Sequence, residues 1–243
     1  MLNAQNILWK PGGKPILQGV TFRLKNGEIV GLVGPNGSGK SSLLKILAFL
    51  ESPTQGILTF HGQSITGKVP LSIRRKIAVV FQEPLLLNTT VFENVAAGLK
   101  IRGVPKPETQ LRVENWLTRF GISHLAKQHA HSLSGGEAQR VSLARAFVLE
   151  PSVLFMDEPF SALDVSTKES LLEDLSLILK TTSVTAVLIS HDFRDILRLT
   201  QRTVILVDGK IAAEGNPYQL LHSAQPDSVQ QFLSPWRISL MRS

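Results

Sequence analysis

The chain has 243 residues, of which 43% are hydrophobic and 19% charged, and it contains no cysteine. That composition is globular and excludes a disordered or low-complexity polymer, while the missing cysteine excludes disulfides, thiolate zinc sites, iron–sulfur clusters and cysteine nucleophiles. A net charge of +7 suits nucleic acid, an anionic membrane surface or small polyphosphates as partners.

In chain order, Asn3, Gln5, Asn6 and Lys10 interrupt the N-terminus where a signal peptide would be apolar. Ile16, Leu17, Val20 and Phe22 then predict a strand, and Asn26-Gly27 is the kind of dipeptide that joins hairpin strands. Glu28 to Val33 has the composition of a strand buried on both faces. A glycine-rich loop, Gly34 to Gly39, leads into a helix predicted over Lys40 to Leu50 and stopped by Ser52-Pro53. Arg74-Arg75-Lys76 precede an apolar strand at Ile77 to Phe81, and read as a solvent-facing strand entry, so no nucleic-acid partner is expected.

For about 60 residues the pattern then turns helical, with candidates at Val91 to Ile101 and Pro107 to Phe120. Pro107 sits in the first turn of the second, and Gly121 just past its end. His124, His129 and His131 have no carboxylate or cysteine at ligand spacing and read as solvated surface. Sheet signals return at Val153 to Met156, Val184 to Ile189 and Val204 to Val207, and Asp208-Gly209 turns the last into Lys210 to Ala213. Helices near Glu137 to Leu149 and Lys168 to Leu179 lie between these strands. The alternation implies an α/β fold with a mostly parallel sheet. The expected organisation is a single domain over 1–243, with an α/β core of 1–83 and 141–243 and a helical subdomain inserted at 84–140. No apolar run reaches the roughly 18–20 residues that span a bilayer. The expectation is a chain that is soluble, or peripheral on a membrane built from other chains.

Three motifs carry chemistry. Gly34-Pro35-Asn36-Gly37-Ser38-Gly39-Lys40-Ser41 fits the phosphate loop G-x-x-x-x-G-K-[ST], between a buried strand and a helix as that motif requires. Its glycines let backbone N–H groups turn towards phosphate oxygens at a helix N-terminus. Lys40 is placed to reach the β- and γ-phosphates and the Ser41 hydroxyl to bind Mg²⁺. Asp157-Glu158 ends the strand that starts at Val153, where open α/β sheets bind ligands. Asp157 is the natural holder of Mg²⁺, and Glu158 a candidate general base. Leu133-Ser134-Gly135-Gly136-Glu137 opens a helix, with Ser134 and Glu137 in capping-box relation. The box does not explain two glycines in the first turn, where bare N–H groups would suit a phosphate.

With these motifs, the chain resembles the ATP-binding subunit of an ABC transporter over nearly its whole length, most like stand-alone bacterial importer ATPases. Leu133 to Glu137, continuing to Arg140, is similar to the family's signature sequence, Ser161-Ala162-Leu163-Asp164 to its D-loop, Gln82 to its Q-loop glutamine and His191 to its switch histidine, in the family's order. The resemblance implies an N-terminal antiparallel β part beside a P-loop NTPase core. It implies an ATP- and Mg²⁺-dependent ATPase whose active site is shared between two copies in a head-to-tail dimer. The loop residues Gly34 to Ser42, including Ser42, would hold the nucleotide of one copy, and Ser134, Gly135, Gly136, Glu137 and Asp164 that of the other. Trp9 would stack on adenine. Gln82 would join Ser41 and Asp157 at the metal, and Glu158, His191, Gln82 and Lys40 would act in hydrolysis. One departure is Glu137, where the family more often has glutamine; either completes the capping box.

The implied function is ATP hydrolysis that powers transport through separate transmembrane permease subunits. The resemblance points to an importer with an extracytoplasmic substrate-binding protein, peripheral on the cytoplasmic face of the inner membrane. The wording from Val79 to Pro84 and from Asn88 to Val91 resembles importers of oxyanions such as tungstate or phosphate. Only about 50 residues separate Gln82 from Ser134, too few for the coiled coil of DNA-repair members, and no N-K-x-D guanine motif is present. About 35 residues follow Val207 in this sequence, so no regulatory domain is expected there.

Overall fold

The computed structural model describes residues 1–240. The chain starts with β1 (Leu2–Trp9), β2 (Leu17–Leu24), β3 (Ile29–Val33), α1 (Lys40–Leu47), β4 (Gln55–Phe60), β5 (Gln63–Ile65), α2 (Leu71–Arg74) and β6 (Ile77–Val80). Helices α3 (Val91–Ile101), α4 (Lys106–Arg119) and α5 (Gly135–Phe147) follow. The remainder is β7 (Val153–Asp157), α6 (Val165–Thr182), β8 (Thr185–Ile189), α7 (Phe193–Leu199), β9 (Arg202–Val207), β10 (Lys210–Gly215), α8 (Pro217–His222) and α9 (Asp227–Leu240).

Two sheets result. An antiparallel sheet has the order β2-β1-β4-β5. A six-stranded sheet has the order β10-β9-β3-β8-β7-β6, parallel except for β10. The mixed α/β fold with its N-terminal antiparallel part is therefore as expected. Strand side chains alternate between faces. In β3, Ile29 and Val33 face a core shared with the helices, and Val30 and Leu32 face a second core against α1 and the antiparallel sheet. The central strands are buried throughout for this reason.

Two local readings are corrected. Asn26-Gly27 closes no hairpin, because β2 and β3 belong to different sheets. The turn instead hands the chain from one sheet to the other, and Gly27 N donates to Thr185 Oγ1 at 2.9 Å. Helix α1 stops at Leu47, three residues short of the expected end, because Phe49 takes a left-handed conformation at φ 58° and Leu50 N turns back to Lys45 O at 2.8 Å. Leu50, taken from its spacing as part of the buried face, is half exposed. Strand β1 escaped the pattern because Asn6 sits at φ 49° and breaks the alternation between Ala4 and Ile7.

The β9–β10 hairpin ties the two sheets together. Gln18 N donates to Gly209 O at 2.9 Å, and Gly209 N donates to Ser38 O at 3.1 Å. A Cβ on Gly209 would lie 2.2 Å from Ile16 O. Among the described residues no helix is long and apolar enough to cross a membrane.

Candidate nucleotide site

The carboxyl ends of the parallel strands form one edge of the molecule, where such sheets bind ligands. The loop after β3 turns sharply at Gly34, with φ 147°. No other residue fits there, since a Cβ would lie 2.0 Å from Leu206 O on β9. At the other end of the loop, Gly39 (φ 100°) packs against Leu17 and Ile16 and starts α1. Lys40 is buried, and its ammonium donates to Gly34 O at 2.9 Å and Pro35 O at 3.0 Å. Burial lowers its pKa, and the carboxylates of Glu158 and Asp157 act in the opposite sense. Ser38 Oγ is buried with no hydrogen-bond partner among the described residues.

Ser41 Oγ donates to Asp157 Oδ1 at 3.2 Å, which brings the end of β7 to the phosphate loop. Burial raises the Asp157 carboxyl above its ordinary range, against the hydrogen bond from Ser41. The next residue, Glu158, is left-handed at φ 48°. Its N–H donates to Ile189 O at 3.0 Å, and Ser161 Oγ donates to its carbonyl at 3.1 Å, so the unusual backbone is fixed from both sides. Because β7 and β8 are neighbours, Glu158 meets His191, with Nδ1 3.1 Å from Oε2.

A cleft of about 650 Å³ opens here, with Asn36, Gly37, Lys40, Ser41, Ser42 and Glu158 among its walls. Sequence reasoning had singled out all six. It had not singled out for this role Lys14, Pro15 and Ile16 in the connection before β2, Gln18 on β2, or Asp208 and Gly209. The pair Asp208-Gly209 carried a signal, a turn that admits only a small second residue, but nothing local says which loop it meets. Trp9 ends β1, partly buried against the second core, and is not among the cleft walls. Gln82 lies exposed just past β6, also outside the cleft walls.

Ser134 to Glu137 also lie outside this cleft. Ser134 N-caps α5 in a complete capping box, and Glu137 Oε2 accepts from Ser134 N at 2.8 Å and Oγ at 2.7 Å. Those bonds from Ser134 hold the Glu137 carboxyl below its ordinary range. The two glycines differ. Gly135 has open space where a Cβ would stand, whereas on Gly136 it would lie 2.3 Å from Thr167 Cγ2 on α6. Gly136 therefore has a packing reason that sequence reasoning missed. Asp164 N-caps α6, accepting from Thr167 N at 3.0 Å and Ser166 Oγ at 2.7 Å, and these bonds hold its carboxyl far down. His129 and His131 have ring centroids 5.5 Å apart, and among the described residues no group of three or more His, Cys, Asp or Glu is placed to hold a metal ion.

The segment after Gln82 is fixed from beneath. Arg145 on α5 donates to Pro84 O at 2.7 Å and Leu85 O at 3.0 Å, and buried Asn94 accepts from Leu87 N at 2.7 Å. Leu85 and Leu87 are left more than half or half exposed, at 61% and 50%.

The profile of the family described as "ABC transporter" matches residues 17–161. The chain is 37% identical over 218 residues to the molybdate/tungstate import ATP-binding protein WtpC of Pyrococcus horikoshii, an alignment covering 89% of this chain and 63% of that protein. It is 39% identical over 230 residues to the probable sulfate/thiosulfate import ATP-binding protein CysA of Chlorella vulgaris, covering 94% of this chain and 97% of that one. Relatives at similar identity are named for import of methionine and of spermidine and putrescine. Among solved structures, the ATP-binding cassette MJ0796, a dimer in a post-hydrolysis state bound to ADP and Pi, matches with a TM-score of 0.80 at 30% identity, covering 89% of this chain and 99% of that one. The fold, the phosphate loop on its strand–helix turn and these similarities agree, and the chain belongs to the ABC transporter family, among its ATP-binding cassettes.

Proposed function

We propose that the chain hydrolyses ATP and thereby powers import through separate membrane-spanning subunits. The observation that carries the reading is the convergence of Lys40, Ser41, Asp157, Glu158 and His191 at one edge of the sheet. Two copies would share each site, Ser134 and Gly135 of one completing the phosphate loop of the other. Support comes from the open space at Gly135 and from the dimeric state of MJ0796. The residues fit a hard divalent cation: a hydroxyl and a half-buried carboxylate, all oxygen donors, meet at Ser41 and Asp157. Mg²⁺ would be held there, with Gln82 as a further ligand, and would neutralise charge on the phosphates.

In this reading Lys40 binds the terminal phosphates, Glu158 takes a proton from the attacking water, and His191 holds Glu158 and the γ-phosphate in place. Trp9 stacks on adenine, and Asp164 and Glu137 face the partner's nucleotide. Leu85 and Leu87, apolar and presented on a braced loop, form the dock for a permease helix at the cytoplasmic face of the membrane. An extracytoplasmic binding protein would deliver the cargo. The helical insertion at 84–140 is the coupling part of a single domain. The similarity to WtpC and CysA supports an oxyanion such as tungstate or phosphate as the cargo.

Glu158→Gln tests the mechanism. It keeps the side chain's shape but removes the proton acceptor, a loss of about 10²–10⁴ in rate. ATP binding should survive, and size-exclusion chromatography with Mg·ATP should show a stalled dimer. Hydrolysis at the native rate removes Glu158 from the chemistry. For the cargo, co-purified permease subunits in vesicles should show ATP hydrolysis stimulated by one tetrahedral oxyanion, and stimulation by none of them refutes that class.

A further inference from the structure

His191 is a poorly supported side chain for a residue that must meet a phosphate. Its ring is 58% exposed, and the hydrogen bond to Glu158 is its contact with the site. What fixes it lies on either side. Ser190 and Asp192 are both buried, and Asp192 N donates to Ser190 Oγ at 3.1 Å beneath the histidine. Ser190 Oγ in turn donates to Asp195 Oδ2 at 2.7 Å.

This knot is held from another element. Lys168 Nζ lies 2.7 Å from Asp192 Oδ2 and 2.8 Å from Asp195 Oδ1. All three side chains are largely withdrawn from solvent, with 18%, 8% and 2% exposure for Lys168, Asp192 and Asp195. Lys168 stands in the first turn of α6. The same turn is capped by Asp164 and presses Thr167 against Gly136 of α5. A cavity of about 120 Å³ runs between this turn and the catalytic pair, with Glu158, Ser161, Lys168 and His191 among its walls. Nor does Asp192 lack other partners. Burial raises it, but hydrogen bonds from Arg194 and Lys168 outweigh that and pull it down to about 2, and its Oδ1 already accepts from Arg194 N and Nε.

We infer that Lys168 is a positioning residue for hydrolysis: it ties the Ser190-His191-Asp192 loop to the start of α6 and so holds His191 against Glu158. The inference rests on the roles proposed above for Glu158 and His191. A misplacement of about 1 Å at a reacting group can cost on the order of 100-fold in rate, and this tie is the one ionic contact from α6 to the loop among the described residues.

The test is steady-state ATP hydrolysis by the full chain carrying Lys168→Met, with hydrogen exchange at residues 189–193 and 34–41. The expected result is a fall in kcat of at least about tenfold, with KM for ATP within about twofold. Exchange should be faster at 189–193 and unchanged at 34–41. Lys168→Arg, which keeps the charge, should recover most of kcat. Since Lys168→Met leaves buried Asp195 without its cation, the paired variant Lys168→Met/Asp195→Asn removes that charge as well, and should show the same loss of kcat. A native kcat in Lys168→Met, a loss of ATP binding in step with kcat, or recovery in the paired variant overturns the inference. His191→Ala is measured alongside. If it hydrolyses ATP at the native rate, the underlying role of His191 falls; if it is inactive while Lys168→Met is native, only the tie is refuted.

Discussion

Replacing Gly136 by alanine places a methyl group 2.3 Å from Thr167 Cγ2. Threonine is stiff about χ1, so it yields little, and overpacking of this kind costs about 1–3 kcal/mol. Against that, alanine in place of glycine in a helix returns about 0.5–1 kcal/mol. The expected net loss is about 0.5–2 kcal/mol, and at about 2–4 °C per kcal/mol for a chain of this size Tm should fall by several degrees. Thr167→Ser removes Cγ2 alone. The nearest Thr167 atoms are then Cβ at 3.7 Å and the hydroxyl at 3.9 Å, both ordinary contacts. In that background Gly136→Ala should cost nothing, while the cap from Asp164 to the backbone of residue 167 is kept. Thermal unfolding of the two single variants and the double, each with ATP hydrolysis measured, makes the cycle. Equal losses in both backgrounds refute the packing account. A double variant with restored stability but no hydrolysis shows that bare backbone is needed there for the nucleotide as well.

Lys40→Ala removes the one ammonium inside the phosphate loop and should abolish ATP binding, read by equilibrium dialysis; native affinity would overturn the loop assignment. Arg202 pairs with Glu28 at 2.6 Å and with Glu214 at 2.7 Å, and Arg202→Met leaves the half-buried Glu28 carboxylate without its cation, with the bond from Lys25 N at 2.9 Å remaining. That loss should lower the unfolding free energy by about 1–2 kcal/mol, read from a lower denaturant midpoint, and Glu28→Gln in the same chain should recover part of it. Acid should also act through Asp192, whose pKa falls from 3.8 to about 2 on folding. Its contribution is fully present above about pH 4 and is lost as pH falls from there towards 2. Asp195 works the other way, since burial raises it. Asp192→Asn should therefore make stability less steep in pH over that window, and an unchanged slope would refute the assignment.

The sequence was most legible where chemistry demands a fixed order of residues. The phosphate loop, Asp157-Glu158 and the capped start of α5 could all be named from spacing, and the family resemblance added Gln82, Asp164 and His191. The same holds for central strands such as β3 and β8, whose burial on both faces leaves an unbroken apolar run. Half-buried pieces were harder to read. Strand β1 is broken by a left-handed Asn6, and β5 has three residues, two of them polar. Long-range meetings were not legible at all. Nothing near Gly136 says that Thr167 will press on it, and nothing near Lys168 says that its partners lie after β8. These pairings exist only once the sheet order is fixed, and that order is a property of the whole chain.

The loop that should grip phosphate is not self-supporting. Its first glycine fits under a carbonyl of β9, Ser38 O takes a bond from Gly209, and Gln18 reaches Asp208 O across 190 positions of sequence. During synthesis, at about 5–20 residues per second, the β9–β10 turn follows the loop by roughly 10–35 s. Throughout that interval the nascent chain carries the loop's sequence without the hairpin that braces it. The expectation is that nucleotide acts as a late clasp, which rewards a chain that has already returned its last strands to the sheet, and not as a folding template for the N-terminal half. A ribosome-stalled chain ending before Asp208 should accordingly fail to retain ATP, while one extended past Gly215, with the tunnel length allowed for, should hold it.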